Sequence, residues 1–76
     1  MRYKVYVRFL GVLARKRLET NSVEEVADLL LKEGLENTET WINDKNVFYY
    51  PTFYVFSRET LIGNLQGQAK ENNETD

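Results

Sequence analysis

The chain has 76 residues, with ten Lys and Arg against twelve Asp and Glu, and it contains neither histidine nor cysteine. Disulfides, thiolate chemistry, imidazole catalysis and the common zinc sites are therefore excluded, and the length allows one small domain. The net charge of −2 is too small to indicate an acidic or basic partner by itself. No apolar run approaches the roughly 18 residues of a membrane span and no leader pattern occurs, so we expect a cytoplasmic protein.

The first predicted element is a strand over residues 3–10. Val5, Val7 and Phe9 alternate with polar or amphipathic side chains, which is the period of two of a half-buried strand. We expect this strand to lie in the middle of a sheet. Its second face would carry Lys4, Tyr6 and Arg8.

The basic triplet Arg15, Lys16 and Arg17 follows after Gly11. Charge runs of this kind are typical of solvated loops, with a loop that binds phosphate or acidic groups as the alternative. Residues 18–20 then predict a short second strand, antiparallel to the first, with Leu18 pointing inward.

A helix is predicted from Val23 to Glu33. Ser22 with Glu25 three residues later is the pattern of a capping box, which marks a helix start. Gly34 is placed to end the helix with a left-handed residue. The face expected to be buried has residues three and four apart: Val23, Val26, Ala27, Leu30 and Leu31.

Beyond the helix we predict a polar connection over 35–40 and then a hairpin. Its strands would be 41–42 and 47–50, joined by the turn cluster 43–46, in which Asn and Asp tolerate positive φ. A further strand is predicted over 52–57. From Gln66 no large apolar residue remains, so we expect a domain over 1–65 and a disordered polar tail over 66–76.

Phe48–Phe56 is the most aromatic stretch, since six of its nine residues are Phe or Tyr. Pro51 has no N–H to donate to a sheet and favours two short segments or an edge strand. One interpretation places most of these rings in the core. The other holds that one helix cannot cover them all, so that some meet a protein partner or a second copy. The rings expected to do so are Tyr49, Tyr50, Tyr54 and Phe56.

The predicted order of elements indicates an α+β fold of the β-grasp type, with a mixed sheet of four to five strands and one packed helix. The residues that carry a family resemblance are 4–10, 13–14, 16–17 and 22–26, followed by the helix that ends before Gly34 and by the later turn 42–47. In these the chain resembles the small sulfur-carrier proteins of the MoaD/ThiS family, which are ubiquitin-like. Members of that family end in Gly-Gly, whereas this sequence ends in Glu74-Thr75-Asp76. The resemblance therefore transfers no sulfur-carrier residue to this chain.

The sequence predicts no catalytic residue, no metal site and no cofactor. We expect a non-catalytic protein-interaction module that acts through an aromatic sheet surface. The alternative is a single-stranded nucleic-acid-binding protein, in which tyrosines stack on bases and cations follow the phosphates. The candidates for such contacts, or for contacts to an acidic partner, are Lys4, Tyr6, Arg8, Arg15, Lys16 and Arg17. A pI of about 5.1 argues against the alternative.

Overall fold

A computed structural model of the chain describes residues 2–8, 13–47 and 57–74. The described part is a small α+β domain with a four-stranded sheet and two helices, which confirms the predicted class. A 3₁₀ turn, Leu35–Asn37, follows the first helix. The strands and helices in chain order are β1 (Tyr3–Val7), β2 (Arg15–Thr20), α1 (Val23–Glu33), β3 (Thr38–Ile42), β4 (Lys45–Val47) and α2 (Arg58–Glu74).

The strands lie in the order β2-β1-β3-β4, so β1 has a neighbour on each side, as expected. All three pairings are antiparallel. The prediction of a mixed sheet is therefore wrong for the described strands. α1 and the 3₁₀ turn bring the chain back to the C-terminal end of β1, where Val7 faces Thr38, the first residue of β3. β3 therefore runs back along β1 in the opposite direction.

The core lies between one face of the sheet and both helices. Along β1, Tyr3, Val5 and Val7 are buried while Lys4 and Tyr6 between them are partly exposed, so the period of two is confirmed. Apolar burial on one side of the sheet is what fixes the register of such strands. The core cluster combines β1 and β3 with both helices: Tyr3, Val5, Val23, Val26, Ala27, Leu30, Ile42, Leu61, Leu65 and Ala69.

Helix α1 has the predicted bounds, and its caps explain them. The Ser22 Oγ accepts the Glu25 N–H at 3.4 Å, which is the first half of the predicted capping box. The Ser22 N–H instead donates to the Thr20 Oγ1 at 3.0 Å, so Thr20 replaces Glu25 in the second half. Gly34 ends the helix with φ 92° and ψ 133°, a positive φ that favours glycine but not the expected left-handed helical conformation.

The predicted turn after Ile42 is confirmed, and it is tight. Asn43 and Asp44 both have positive φ, 51° and 65°, as a two-residue type I′ hairpin requires. β3 begins at Thr38, earlier than expected, and Thr40 is buried opposite Val5. The polar connection predicted over 35–40 is thus partly strand, because threonine is β-branched and fits a pleated surface.

The basic triplet lies in a strand and not in the predicted solvated loop. β2 begins at Arg15, which faces Val7, while Lys16 faces Tyr6. Between Lys16 and Leu18 the register shifts, so that Arg17 has no partner on β1, as in a β-bulge. Charged side chains and bulges are both common on outer strands, which explains why this basic segment is extended.

Helix α2 is the largest departure from the predictions. Residues 66–74 continue a helix that starts at Arg58, where a disordered tail was expected from Gln66. Leu61, Leu65 and Ala69 recur every four residues and are buried in the core, so this stripe holds the helix. Ser57 precedes the helix and its Oγ accepts the Thr60 N–H at 3.2 Å.

Of the strand predicted over 52–57, only Ser57 is described, and it precedes α2 instead of lying in a strand; residues 52–56 and the aromatic run Phe48–Phe56 lie outside the described residues, as does Phe9. Of the two described helices, neither has the length and apolar composition needed to cross a membrane.

Replacing Leu65 with alanine tests whether α2 packs into the core. Leu65 is 0% exposed, so Leu65→Ala should lower the free energy of unfolding by about 2–5 kcal/mol. Urea denaturation followed by far-UV circular dichroism measures this. Gln66→Ala, at the exposed neighbouring position, is the control and should change stability by no more than about 0.5 kcal/mol. Equal effects of the two substitutions would contradict the packing of α2.

The two glycines of α2 provide an independent test of helicity. A Cβ added at Gly63 or Gly67 meets no atom within 4 Å, so each Gly→Ala change should stabilise the fold by about 0.5–1 kcal/mol. Gly34→Ala is the opposite control, because Gly34 has φ 92° and its added Cβ would lie 2.9 Å from the Glu36 Oε1. That variant should be destabilised. If alanine at 63 and 67 leaves the thermal midpoint unchanged, these residues are not helical in the folded protein.

Candidate protein-binding surface

The sheet face opposite the helices, here called the outer face, follows from the alternation of side chains. On β1 it carries Lys4 and Tyr6, the two residues between the buried ones. Side chains directly across an antiparallel pair share a face, so the pairing partners of Lys4 and Tyr6 belong to it as well. Asn46 on β4 pairs with Trp41 and so belongs to the same face. The outer face therefore comprises Lys4, Tyr6, Lys16, Glu19, Glu39, Trp41 and Asn46.

Tyr6 and Trp41 form the aromatic centre of the outer face. Their ring centroids are 6.4 Å apart with an interplanar angle of 62°, an edge-to-face arrangement. Trp41 faces Lys4 and Tyr6 faces Glu39, so the two rings are diagonal neighbours across β1 and β3, within reach of each other. Both side chains stay partly exposed.

Ion pairs surround this aromatic pair. The Lys4 Nζ lies 3.0 Å from the Asp44 Oδ1, and the Lys16 Nζ lies 3.2 Å from the Glu19 Oε2. The Arg8 Nη2, just beyond β1, lies 3.3 Å from the Glu39 Oε2. Each of these cations thus has a carboxylate partner, and the group carries no net charge. All are at least partly exposed, so each pair adds little stability.

The hydrogen bond that the Lys4 ammonium donates to Asp44 is the main reason why the pKa of Lys4 is raised above its ordinary value. Because the pKa of Lys4 is raised on folding, the pair's contribution to folding stability is fully present below the pKa that Lys4 has in the unfolded chain. It is lost as the pH rises through the raised folded pKa. The pair at the β3–β4 turn is therefore intact at neutral pH.

Asn46 connects the polar part of the outer face to β4. Its Nδ2 donates to the Glu39 Oε1 at 3.4 Å, so Glu39 is shared between Asn46 and Arg8. The Asn46 Oδ1 is buried and has no hydrogen-bond partner. Within the described ranges no three acidic side chains are grouped closely enough to hold a metal ion. The outer face thus offers aromatic, hydrogen-bonding and balanced ionic contacts.

The structure separates the six residues predicted to contact nucleic acid or an acidic partner. Lys4, Tyr6 and Lys16 lie on the outer face, with Arg8 paired to Glu39 at its border. Arg15 faces the buried Val7 and therefore lies on the helix side of β2. Arg17 reaches toward α1, where its Nη2 lies 3.9 Å from the Glu33 Oε1.

The predicted partner-binding residues Tyr49, Tyr50, Tyr54 and Phe56 lie outside the described residues, so their contribution stays a prediction. Sequence reasoning missed Trp41 and Glu39 as surface residues. The signal was present, because Glu39 and Trp41 alternate with Thr38, Thr40 and Ile42 in a strand-like pattern.

A second feature is a groove between β2 and α1 with a volume of about 350 Å³. Its lining residues are Arg17, Leu18, Glu25, Asp28, Leu29 and Lys32. The Arg58 Nε of α2 donates to the Asp28 Oδ1 at 2.7 Å. This bond, with the attraction between the two charges, raises the pKa of Arg58 above its ordinary value and holds Asp28 against α2.

No family model, curated protein or solved structure matches this chain.

Proposed function

We propose that this chain is a non-catalytic protein-interaction module and that the outer face of its sheet is a binding surface. The main support for this proposal is the Tyr6–Trp41 pair, which is partly exposed at the centre of a face on which neither described helix packs. Tyrosine and tryptophan dominate the binding energy of protein interfaces, because they bring large apolar surface together with a polar group. Asn46 and Glu39 beside them supply polar contacts of the kind found at interface rims.

Charge balance supports a protein as the partner. Lys4, Arg8 and Lys16 are paired with Asp44, Glu39 and Glu19. Binding to a nucleic acid draws its affinity from cations that replace the counterions of phosphates. Cations that already have carboxylate partners would have to exchange them first, at a cost in favourable contacts. A protein surface with mixed charges can be bound without that exchange.

The aromatic run Phe48–Phe56 extends this proposal. It follows β4 directly in the sequence, and β4 pairs with the strand that carries Trp41. The prediction that Tyr49, Tyr50, Tyr54 and Phe56 meet a partner rests on the sequence alone. The two sets of residues can therefore be tested separately.

Single-stranded nucleic-acid binding is the second candidate. It is supported by Tyr6 lying between Lys4 and Arg8 in sequence and on the face that no described helix covers. Exposed aromatic rings on a sheet can stack on bases. The paired cations and the low pI are the arguments against it.

The relation to the MoaD/ThiS carriers, and with it the β-grasp fold, is a proposal too. It is supported by the succession of β1, β2 and α1, which follows the order the resemblance implies. The antiparallel pairing of β1 with β3 differs from the mixed sheet expected of that fold. Docking on an activating enzyme of that family would be a special case of the protein binding proposed here.

Photo-crosslinking from the outer face tests the proposed function. A benzoylphenylalanine placed at Tyr6, in the cells that produce the protein, should form covalent adducts with protein. The same group at the exposed Gln66 of α2 is the control and should not form them. Trp41→Ala should reduce the adduct yield, because loss of a central interface aromatic weakens binding by about 2 kcal/mol or more, roughly thirtyfold.

The nature of the adduct separates the two candidates. Adducts that survive nuclease and are removed by protease support the protein-interaction module. Adducts removed by nuclease would instead support the nucleic-acid alternative. Equal yields from positions 6 and 66 would contradict a binding role for the outer face. Circular dichroism must show that each variant is folded, since Trp41 also packs against Tyr6.

A further inference from the structure

β2 is an outer strand of the described sheet, with β1 as its neighbour on one side. An outer strand directs alternate N–H and C=O groups away from the sheet, where an added strand can pair with them. The first three residues of β2, Arg15, Lys16 and Arg17, are exposed along this edge. The edge is therefore accessible at the end that carries these three cations, of which Lys16 pairs with Glu19 and Arg17 with Glu33.

The β-bulge gives this edge a particular shape. Because Arg17 has no partner on β1, Arg17 and Leu18 both lie on the helix side of the sheet, while Lys16 and Glu19 both lie on the outer face. The 3.2 Å ion pair between Lys16 and Glu19 agrees with this arrangement, since regular alternation would place them on opposite faces. Arg17 consequently forms a wall of the groove between β2 and α1.

The groove itself suits an apolar side chain. Leu18 and Leu29 line it, both only partly buried and both packed against the core. Arg17 and Lys32 add positive charge to its walls, and Glu25 and Asp28 add negative charge. Asp28 is bonded to Arg58 at 2.7 Å, so its charge is already compensated. A volume of about 350 Å³ is more than one aliphatic side chain needs.

We propose that the β2 edge and this groove together bind an extended acidic peptide segment, which adds to the described sheet as a strand beside β2. The backbone of the segment pairs with β2, and an apolar side chain enters the groove between Leu18 and Leu29. Carboxylates near that side chain meet Arg15 and Arg17 on the helix side of β2, where Arg17 exchanges its 3.9 Å contact with Glu33 for the peptide. This site is separate from the outer face, so it goes beyond the function proposed above.

Other occupants fit the edge less well. If a second copy paired with β2 around a two-fold axis between Arg17 and Leu18, Lys16 would face Glu19 of the other copy. Those residues already form an ion pair within one strand, so the exchange gains no charge contact. A nucleic acid would bring a phosphate at every nucleotide, including opposite Glu25 and Asp28. A peptide can place its carboxylates opposite the cations alone.

The test uses a labelled peptide with three central valines and two glutamates on each side, titrated into the full chain by fluorescence anisotropy. We expect saturable binding that weakens as salt is added. The double variant Arg15→Gln/Arg17→Gln should weaken it about tenfold or more. Lys70→Gln, an exposed cation on α2, is the matched control and should not change it. Trp41→Ala should also bind the peptide normally, which distinguishes this site from the outer face.

Two altered peptides make the test specific. Proline for the central valine removes a backbone N–H and should abolish strand addition. Lysines for the glutamates should abolish the charge contacts. The proposal is overturned if either altered peptide binds as well as the first, or if the arginine variant matches the wild type. Absence of saturable binding up to about 1 mM peptide overturns it as well.

Hydrogen exchange locates the bound peptide. Amides of β2 should exchange more slowly when the peptide is present, and those of β3 should be unchanged. If β2 becomes protected with rising protein concentration alone, the edge pairs with a second copy, and the peptide proposal is wrong. If an oligonucleotide competes with the peptide and is itself bound at β2, the site is one for phosphates.

Discussion

The alternation of side chains along β1 determines which residues of the sheet are buried and which lie on the outer face. Tyr3, Val5 and Val7 point to one side and are buried, and Tyr3 and Val5 pack in one cluster with residues of both helices. Because the period of a strand is two, Lys4 and Tyr6 must then point to the other side. A slip by one residue would exchange the two sets, so burial of the apolar set fixes the position of the outer face.

The pairing of cations with carboxylates distinguishes the outer face from the β2 edge. On the outer face, cations are neutralised by carboxylates from the β3–β4 turn, β3 and β2 itself, which leaves Tyr6 and Trp41 as the main sources of binding energy. At the β2 edge, the bulge places Arg17 beside an apolar groove and leaves the basic end exposed. One sheet thus presents an aromatic, neutral surface and a basic edge.

Local signals made part of this fold predictable. Helix α1 was found with its observed bounds, because Ser22 and Gly34 mark its two ends and the apolar stripe lies between them. The turn at Asn43 and Asp44 was found for the same kind of reason. Helix α2 was missed because its buried stripe has only one residue per turn and its surface is polar, with Gly63 and Gly67 inside it. Such a helix is stabilised by tertiary packing more than by its own propensity.

The candidate surfaces were harder to predict than the fold. The pattern of β1 placed Lys4 and Tyr6 on one face, but Asp44 and Glu39, which pair with Lys4 and Arg8, come from distant segments and cannot be read from spacing. The basic triplet looked like a loop because charge runs usually are loops. Its place on an outer strand depends on pairing with Tyr6 and Val7, which is a tertiary effect.

Exposure of Trp41 tests most directly whether the outer face is open to a partner. Trp41 is the single tryptophan of the chain, so fluorescence quenching by acrylamide reports on the outer face alone. In the free folded protein, quenching should be intermediate between that of a buried indole and that of the urea-unfolded chain. Quenching should decrease when a protein partner binds. A Trp41 already as protected as a core residue in the free monomer would contradict the claim that this face is open for a partner.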